Sequence, residues 1–224
     1  ATFGKFSAAG DGREGDMLAE AAARAARQNI GYLELMNSLE RGPAMAVARS
    51  LPWDGDLAAY RQALLDAGLR GLVPAAIAET DALEARRDAL LACGTAAADP
   101  GCEVEVRYLQ QVIRAFSPGE VYAQILLGFE VAKADPRVVG LNLVAPEDGA
   151  VALRDYSLHM AIIGHLKSLM PEMNVTLHAG ELTLGLVDPA ELRFHIREAV
   201  EIAGATRIGH GVAIAHEEGH EALL

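Results

Sequence analysis

Asn174–Glu181 reads NVTLHAGE and Thr206–Gly211 reads TRIGHG, and between them Asp188-Pro189-Ala190-Glu191 opens a run of helix formers that reaches Ala203. Each outer segment is a short apolar strand that ends in a histidine. The middle one starts with a capping residue, a proline at the first helical position and a glutamate three after the cap. One unit upstream, VVGLNLV (Val138–Val144) is a near-continuous apolar run, as expected of a strand buried on both faces. The strand exits fall near Pro146, His178 and His210, 32 residues apart in each case. That regular strand–helix–strand spacing reads as parallel βα units.

Working outward, EVEVRYL (Glu103–Leu109) alternates like a strand, and Ser117-Pro118-Gly119-Glu120 repeats the capping pattern before a helix through Ala134. A further helix is expected from about Leu153 to Leu169, one from Asp16 to Asn29 (DMLAEAAARAARQN), and helical structure through Asp54–Cys93. IGYLELM (Ile30–Met36) is the first strand. The strands therefore begin at Ile30, Glu103, Val138, Val175 and Thr206, five in all. A closed (β/α)8 barrel takes about 250 residues and eight strands, and three more units of roughly 30 residues each do not fit. Two architectures satisfy the count: an open, doubly wound five-stranded sheet, or an internal section of a barrel.

The 224 residues are 51% hydrophobic and 22% charged, enough to bury a core and too apolar for a disordered tail. Nineteen Lys and Arg against 31 Asp and Glu leave a net charge of −12, which argues against a nucleic-acid backbone binder or a protein of anionic membrane surfaces. No stretch approaches the roughly 18 consecutive apolar residues of a membrane span. The two cysteines, Cys93 and Cys102, flank a Pro-Gly turn. They read equally as free thiols in a reducing compartment or as one disulfide in an exported protein.

The residues able to do chemistry sit at the strand exits, the face on which parallel α/β folds place their sites. His178 and Glu181 would point to opposite faces of a continued strand, but Gly180 lets the backbone turn so that both can face one pocket. His210 lies between Gly209 and Gly211, where the missing side chains allow a ligand close approach. Imidazole suits a zinc ion, and a neighbouring carboxylate can act as acid or base.

LHAGE followed one βα unit later by RIGHG resembles the adenosine deaminase family of metal-dependent amidohydrolase barrels. ATFGKF, YLELM, VGLNLVAPED and SPGE are most similar to its secreted growth-factor-type branch and the bacterial relatives of that branch. The resemblance implies an α/β fold, a partial (β/α)8 TIM-type barrel with about five of eight parallel strands. Residues 1–224 would be an internal section of one deaminase domain, with the first strand and the last two absent; the chain opens as though something preceded it. It further implies that His178 is a zinc ligand, Glu181 the proton donor to a purine ring nitrogen, and His210 the group that orients and stabilises the attacking hydroxide. The reaction would be hydrolytic deamination of an aminopurine nucleoside, adenosine to inosine and ammonia. Gly180, Ala145 and Glu147 would be further substrate-site positions, although many relatives carry Asp where Asn142 stands and Gly where Ala145 stands. The His-x-His pair and the Asp pair that complete the family's zinc site do not occur in this sequence, so further ligands of the one Zn2+ are expected from outside it. The implied partner is a purine nucleoside, not nucleic acid or a membrane; a homo-oligomer is compatible. Export to a periplasm or secretion is favoured, with the cytoplasm open.

Competing readings are another aminopurine or amide hydrolase of the same superfamily, and a non-catalytic relative or fragment that binds a nucleoside or a partner. A third is a zinc protease using His216-Glu217-Glu218-Gly219-His220, which matches HExxH. Gly219 inside a helix disfavours that pattern, and a solvated acidic helix start is the expectation there. His159, His165 and His195 are expected at helix boundaries or surfaces, Glu34 could point inward from its strand, and Trp53 is expected to pack.

Overall fold

The computed structural model describes residue 10 and residues 12–223, so ATFGKF lies outside the described residues. Helix α1 (Glu14–Arg27) buries Leu18, Ala19, Ala22, Ala23 and Ala25, spaced as one helical face, with acids in its first turn and arginines in its last to suit the helix dipole. Strand β1 (Tyr32–Asn37) follows, then α2 (Arg41–Arg49), a short helix the sequence reading passed over. Next come α3 (Leu57–Asp66), whose first amides are capped by Asp56, and α4 (Val73–Leu90). Strand β2 (Glu105–Ile113) leads to α5 (Pro118–Ala134), which begins with the expected capping box of Ser117 and Glu120. Strand β3 (Val138–Val144) has the expected bounds, and the helix after it is split at Asp155 into α6 (Ala150–Arg154) and α7 (Tyr156–Leu169).

Beyond β4 (Thr176–Ala179) the expected long helix is not continuous. Asp188 does cap Ala190, but Pro189–Arg193 forms a 3-10 turn, and α8 (His195–Glu201) starts anew after Phe194 adopts φ −143. Strand β5 (Arg207–His210) is followed by two 3-10 turns, Val212–His216 and His220–Ala222. The HEEGH stretch is therefore not one helix, and its two histidines are not the pair one helical turn apart that the protease pattern needs. Gly219 at φ 64 separates the turns, and Glu217, expected in solvent, is buried and accepts the amide of Ile196 at 2.6 Å.

β1, β2 and β3 form one sheet in that order, and β4 and β5 pair in parallel from Thr176 opposite Arg207 to Ala179 opposite His210. A parallel bridge from Leu141 to Val175 links β3 to β4. The five strands thus neighbour one another in chain order, an α/β arrangement that makes a partial TIM-type barrel and does not close. Among the described residues, no helix is long and apolar enough to cross a membrane.

The chain divides into two compact units, the residues up to Leu35 with Pro74–Tyr108, and Met36–Val73 with the residues from Leu109 onward. The first has an alanine-rich cluster of Ala19, Ala22, Ala23, Ala25, Leu91 and Val104, against which Cys93 and Cys102 pack as a disulfide. In the second, α5 is buried along nearly its whole length, and Tyr60 packs edge to face against both Tyr122 and Trp53, the latter 4.8 Å away. Trp53 packs as expected. His159 and His195 do not lie at the surface as expected; both are buried, because α7 turns His159 inward and the break at Phe194 turns His195 inward.

Candidate active site

The exits of β3, β4 and β5 bring the sequence-derived residues into one neighbourhood within the second unit. At the end of β4, Gly180 takes φ +72, which glycine adopts without strain, and a Cβ there would stand 2.6 Å from Ile196 Cδ1, so any side chain would have to push Ile196 aside. The turn delivers Glu181 toward His210, whose Nε2 lies 3.5 Å from a Glu181 carboxylate oxygen. The rings of His178 and His210 are 5.0 Å apart although the register sets His178 opposite Gly209 and His210 opposite Ala179, because His210 leaves the strand geometry with φ 71. Glu181 is half exposed and His210 about a third exposed, so a ligand can reach both.

The His178 ring is oriented from behind. Asn142 Oδ1 accepts the His178 backbone N–H at 3.2 Å and faces its Nδ1 at 2.9 Å. A backbone amide can only donate, so the Asn142 atom facing it is the oxygen, and Nδ1 must then carry the ring proton. Nε2 is left with its lone pair. Burial, helped by His210 and Arg114 and opposed by Glu181, lowers the His178 pKa and keeps the ring neutral. A neutral imidazole with one nitrogen pinned by an oxygen acceptor is the usual arrangement of a metal-ligating histidine. His178 therefore fits zinc as one donor. Among the described residues, no group of three or more His, Cys, Asp or Glu is placed to hold a metal ion.

Two further candidates differ in setting. Ala145 sits at φ 90, and its carbonyl accepts from Arg114 Nε at 3.1 Å. Glu147 is fully buried and accepts the amides of Gly180 at 2.9 Å and Glu181 at 2.7 Å, together with His195 Nδ1 at 2.7 Å. Burial alone would raise the Glu147 pKa, but His195, the two amides and the charge of Arg114 more than offset it and hold the carboxyl below its usual range.

Three residues escaped the sequence reading as parts of this site. Arg114, at the end of β2, is 1% exposed and donates to the carbonyls of Ala145 and His178, tying two strand exits together. Its visible signal was an arginine ending the apolar run of a strand. Asn142 stood out only as a departure from the usual aspartate. His195 carried a signal in its i,i+4 relation to Glu191, whose carboxylate faces His195 Nε2 at 3.2 Å, but nothing in sequence connected it to Glu147.

Parallel strands gather a carboxylate and two imidazoles at their carboxyl ends, the face on which barrel folds place their active sites. The profile of the adenosine deaminase family matches residues 15–224, and the chain belongs to that family. Comparison with curated proteins gave no match.

Proposed function

We propose that this chain carries the proton donor, the water-orienting imidazole and one zinc ligand of an enzyme that hydrolytically deaminates an aminopurine nucleoside, adenosine to inosine and ammonia. The observation that carries the reading is the approach of His210 to Glu181 beside the neutral, Asn142-pinned ring of His178. Water adds its oxygen to the ring carbon that bears the amino group, and the electron pair displaced from the C=N bond goes to the adjacent ring nitrogen. Glu181 gives its proton to that nitrogen. His210 orients the water and takes up the first proton it loses, which passes to the departing amino group so that ammonia leaves as the C–N bond breaks, and the proton left on the new oxygen returns to Glu181 as the carbonyl forms. Bound zinc, with His178 Nε2 as one ligand, would supply the charge that acidifies the water.

A catalytic zinc has about three protein ligands, and His178 is one. We accordingly take residues 1–224 as a section of one barrel domain, with the other ligands and the strands that pair with β1 and β5 supplied by further chain. The strand order supports this, since among the described residues β1 and β5 each have a single sheet neighbour. YLELM, VGLNLVAPED and SPGE favour the growth-factor-type branch and its bacterial relatives, with an exported location that suits the Cys93–Cys102 disulfide.

The test is ammonia release from adenosine by the full-length protein and its Glu181→Gln variant. The amide keeps the shape of the acid without its transferable proton, so kcat should fall by at least about 100-fold while zinc content stays unchanged. Near wild-type deamination by the variant would overturn the assignment. Nucleoside binding without turnover in the wild type would instead make the protein a binding relative.

A further inference from the structure

We propose that Glu147, held in place by His195, is the positioning residue of this site: it clamps the Gly180–Glu181 peptide and thereby aims the Glu181 carboxyl at the ring nitrogen. The inference rests on the reading of Glu181 as proton donor. One oxygen of Glu147 takes the Gly180 amide and the His195 Nδ1 proton, while the other takes the Glu181 amide. A single carboxylate therefore binds two consecutive amides of the turn that carries the acid. The Glu147 side chain has no exposed surface, so it does not reach a nucleoside at the mouth and acts through the turn.

A buried carboxylate persists only where donors surround it, and here each supporting group is itself braced. The His195 ring stacks on Tyr156 at 3.7 Å and 14°, and the Tyr156 hydroxyl donates to the His195 carbonyl at 2.7 Å. His195 Nε2 faces Glu191. From the other side Arg114 fixes the carbonyl of Ala145, two residues before Glu147, and that of His178, three before Glu181. This many locked contacts around one half-exposed acid is what precise aim requires, since a displacement of the order of 1 Å in a proton donor is costly to rate and nearly neutral to binding.

Three variants of the full-length protein test the proposal: Glu147→Gln, which leaves one amide without its acceptor; His195→Leu, which removes the donor; and His195→Asn, whose side-chain amide nitrogen stands where Nδ1 stood. In the first two, kcat should fall about 10- to 100-fold with KM unchanged. Hydrogen exchange at the Gly180 and Glu181 amides should accelerate. His195→Asn should restore most of both. A rise in KM at unchanged kcat would make Glu147 a substrate contact and overturn the proposal. So would unaltered exchange at the two amides, or losses in His195→Leu that Asn does not rescue. If Glu147→Gln does not fold, the two His195 variants decide. A wild-type protein with no activity on aminopurine nucleosides would refute the proposed reaction, and the exchange measurements would still judge the clamp.

Discussion

His210 holds a left-handed backbone, φ 71, that costs a non-glycine residue about 1–2 kcal/mol. Such strain at a strand exit fits a side chain whose direction matters more than local comfort. If His210 orients the attacking water, its contribution is made mainly in the transition state. His210→Ala should then lower kcat far more than it raises KM, and a pure KM effect in steady-state kinetics would make it a ground-state contact instead. A different histidine governs acid stability. His159 is fully buried with no hydrogen-bond partner at either ring nitrogen among the described residues, and burial pushes its pKa from 6.5 down to about 4, with Asp155 opposing and Arg114 and Arg154 assisting. Below pH 6.5 the unfolded chain gains a proton on this ring that the folded chain refuses until about pH 4. Stability should therefore fall through that window, by about 3 kcal/mol over its full width. His159→Leu should remove that part of the slope in urea unfolding measured from pH 7 to pH 4; an equal slope in both proteins would refute the account.

At the scale of elements, the exits of the strands mattered more than their bodies. VVGLNLV announced β3 to the residue, and SPGE announced the start of α5, because a two-faced apolar run and a capping box are local signals. The helix expected from Asp188 failed because its interruption is tertiary: Phe194 breaks the backbone so that His195 can enter a site made by β3 and α7. His178, Glu181 and His210 were legible from motif and spacing, whereas the supporting Arg114, Asn142 and His195 were not, since each acts through a partner more than 30 residues away. The exit of β3 yields a stability test. Ala145 at φ 90 carries strain that glycine would not. Ala145→Gly should raise stability by up to about 1 kcal/mol after the added entropy of the unfolded chain, where an ordinary Ala→Gly change in a helix or strand loses about that much. Chemical denaturation measures it, and a loss of about 1 kcal/mol would show that the turn is unstrained.

For the molecule as a whole, the two units draw on unequal resources. The second buries large aliphatic and aromatic side chains around α5, while the first relies on a cluster built mostly of alanines. Each alanine buries little apolar area, so that cluster contributes less per residue. The shortfall is offset at one point, where Cys93 and Cys102 close a short loop at a sequence separation of 9. Gly101 next to it lies so near the Ala23 backbone, 2.7 Å from where its Cβ would stand, that the loop and α1 pack without an intervening side chain. Closing a loop of that length removes unfolded-state entropy worth roughly 2–3 kcal/mol. Reduction, or the paired change Cys93→Ala and Cys102→Ala, should lower the stability of the first unit by that amount. Hydrogen exchange should quicken across residues 14–27 and 91–104 before it does across α5. Protection that is the same in oxidised and reduced protein would mean that the alanine cluster suffices alone, and that the disulfide adds nothing to the stability of this unit.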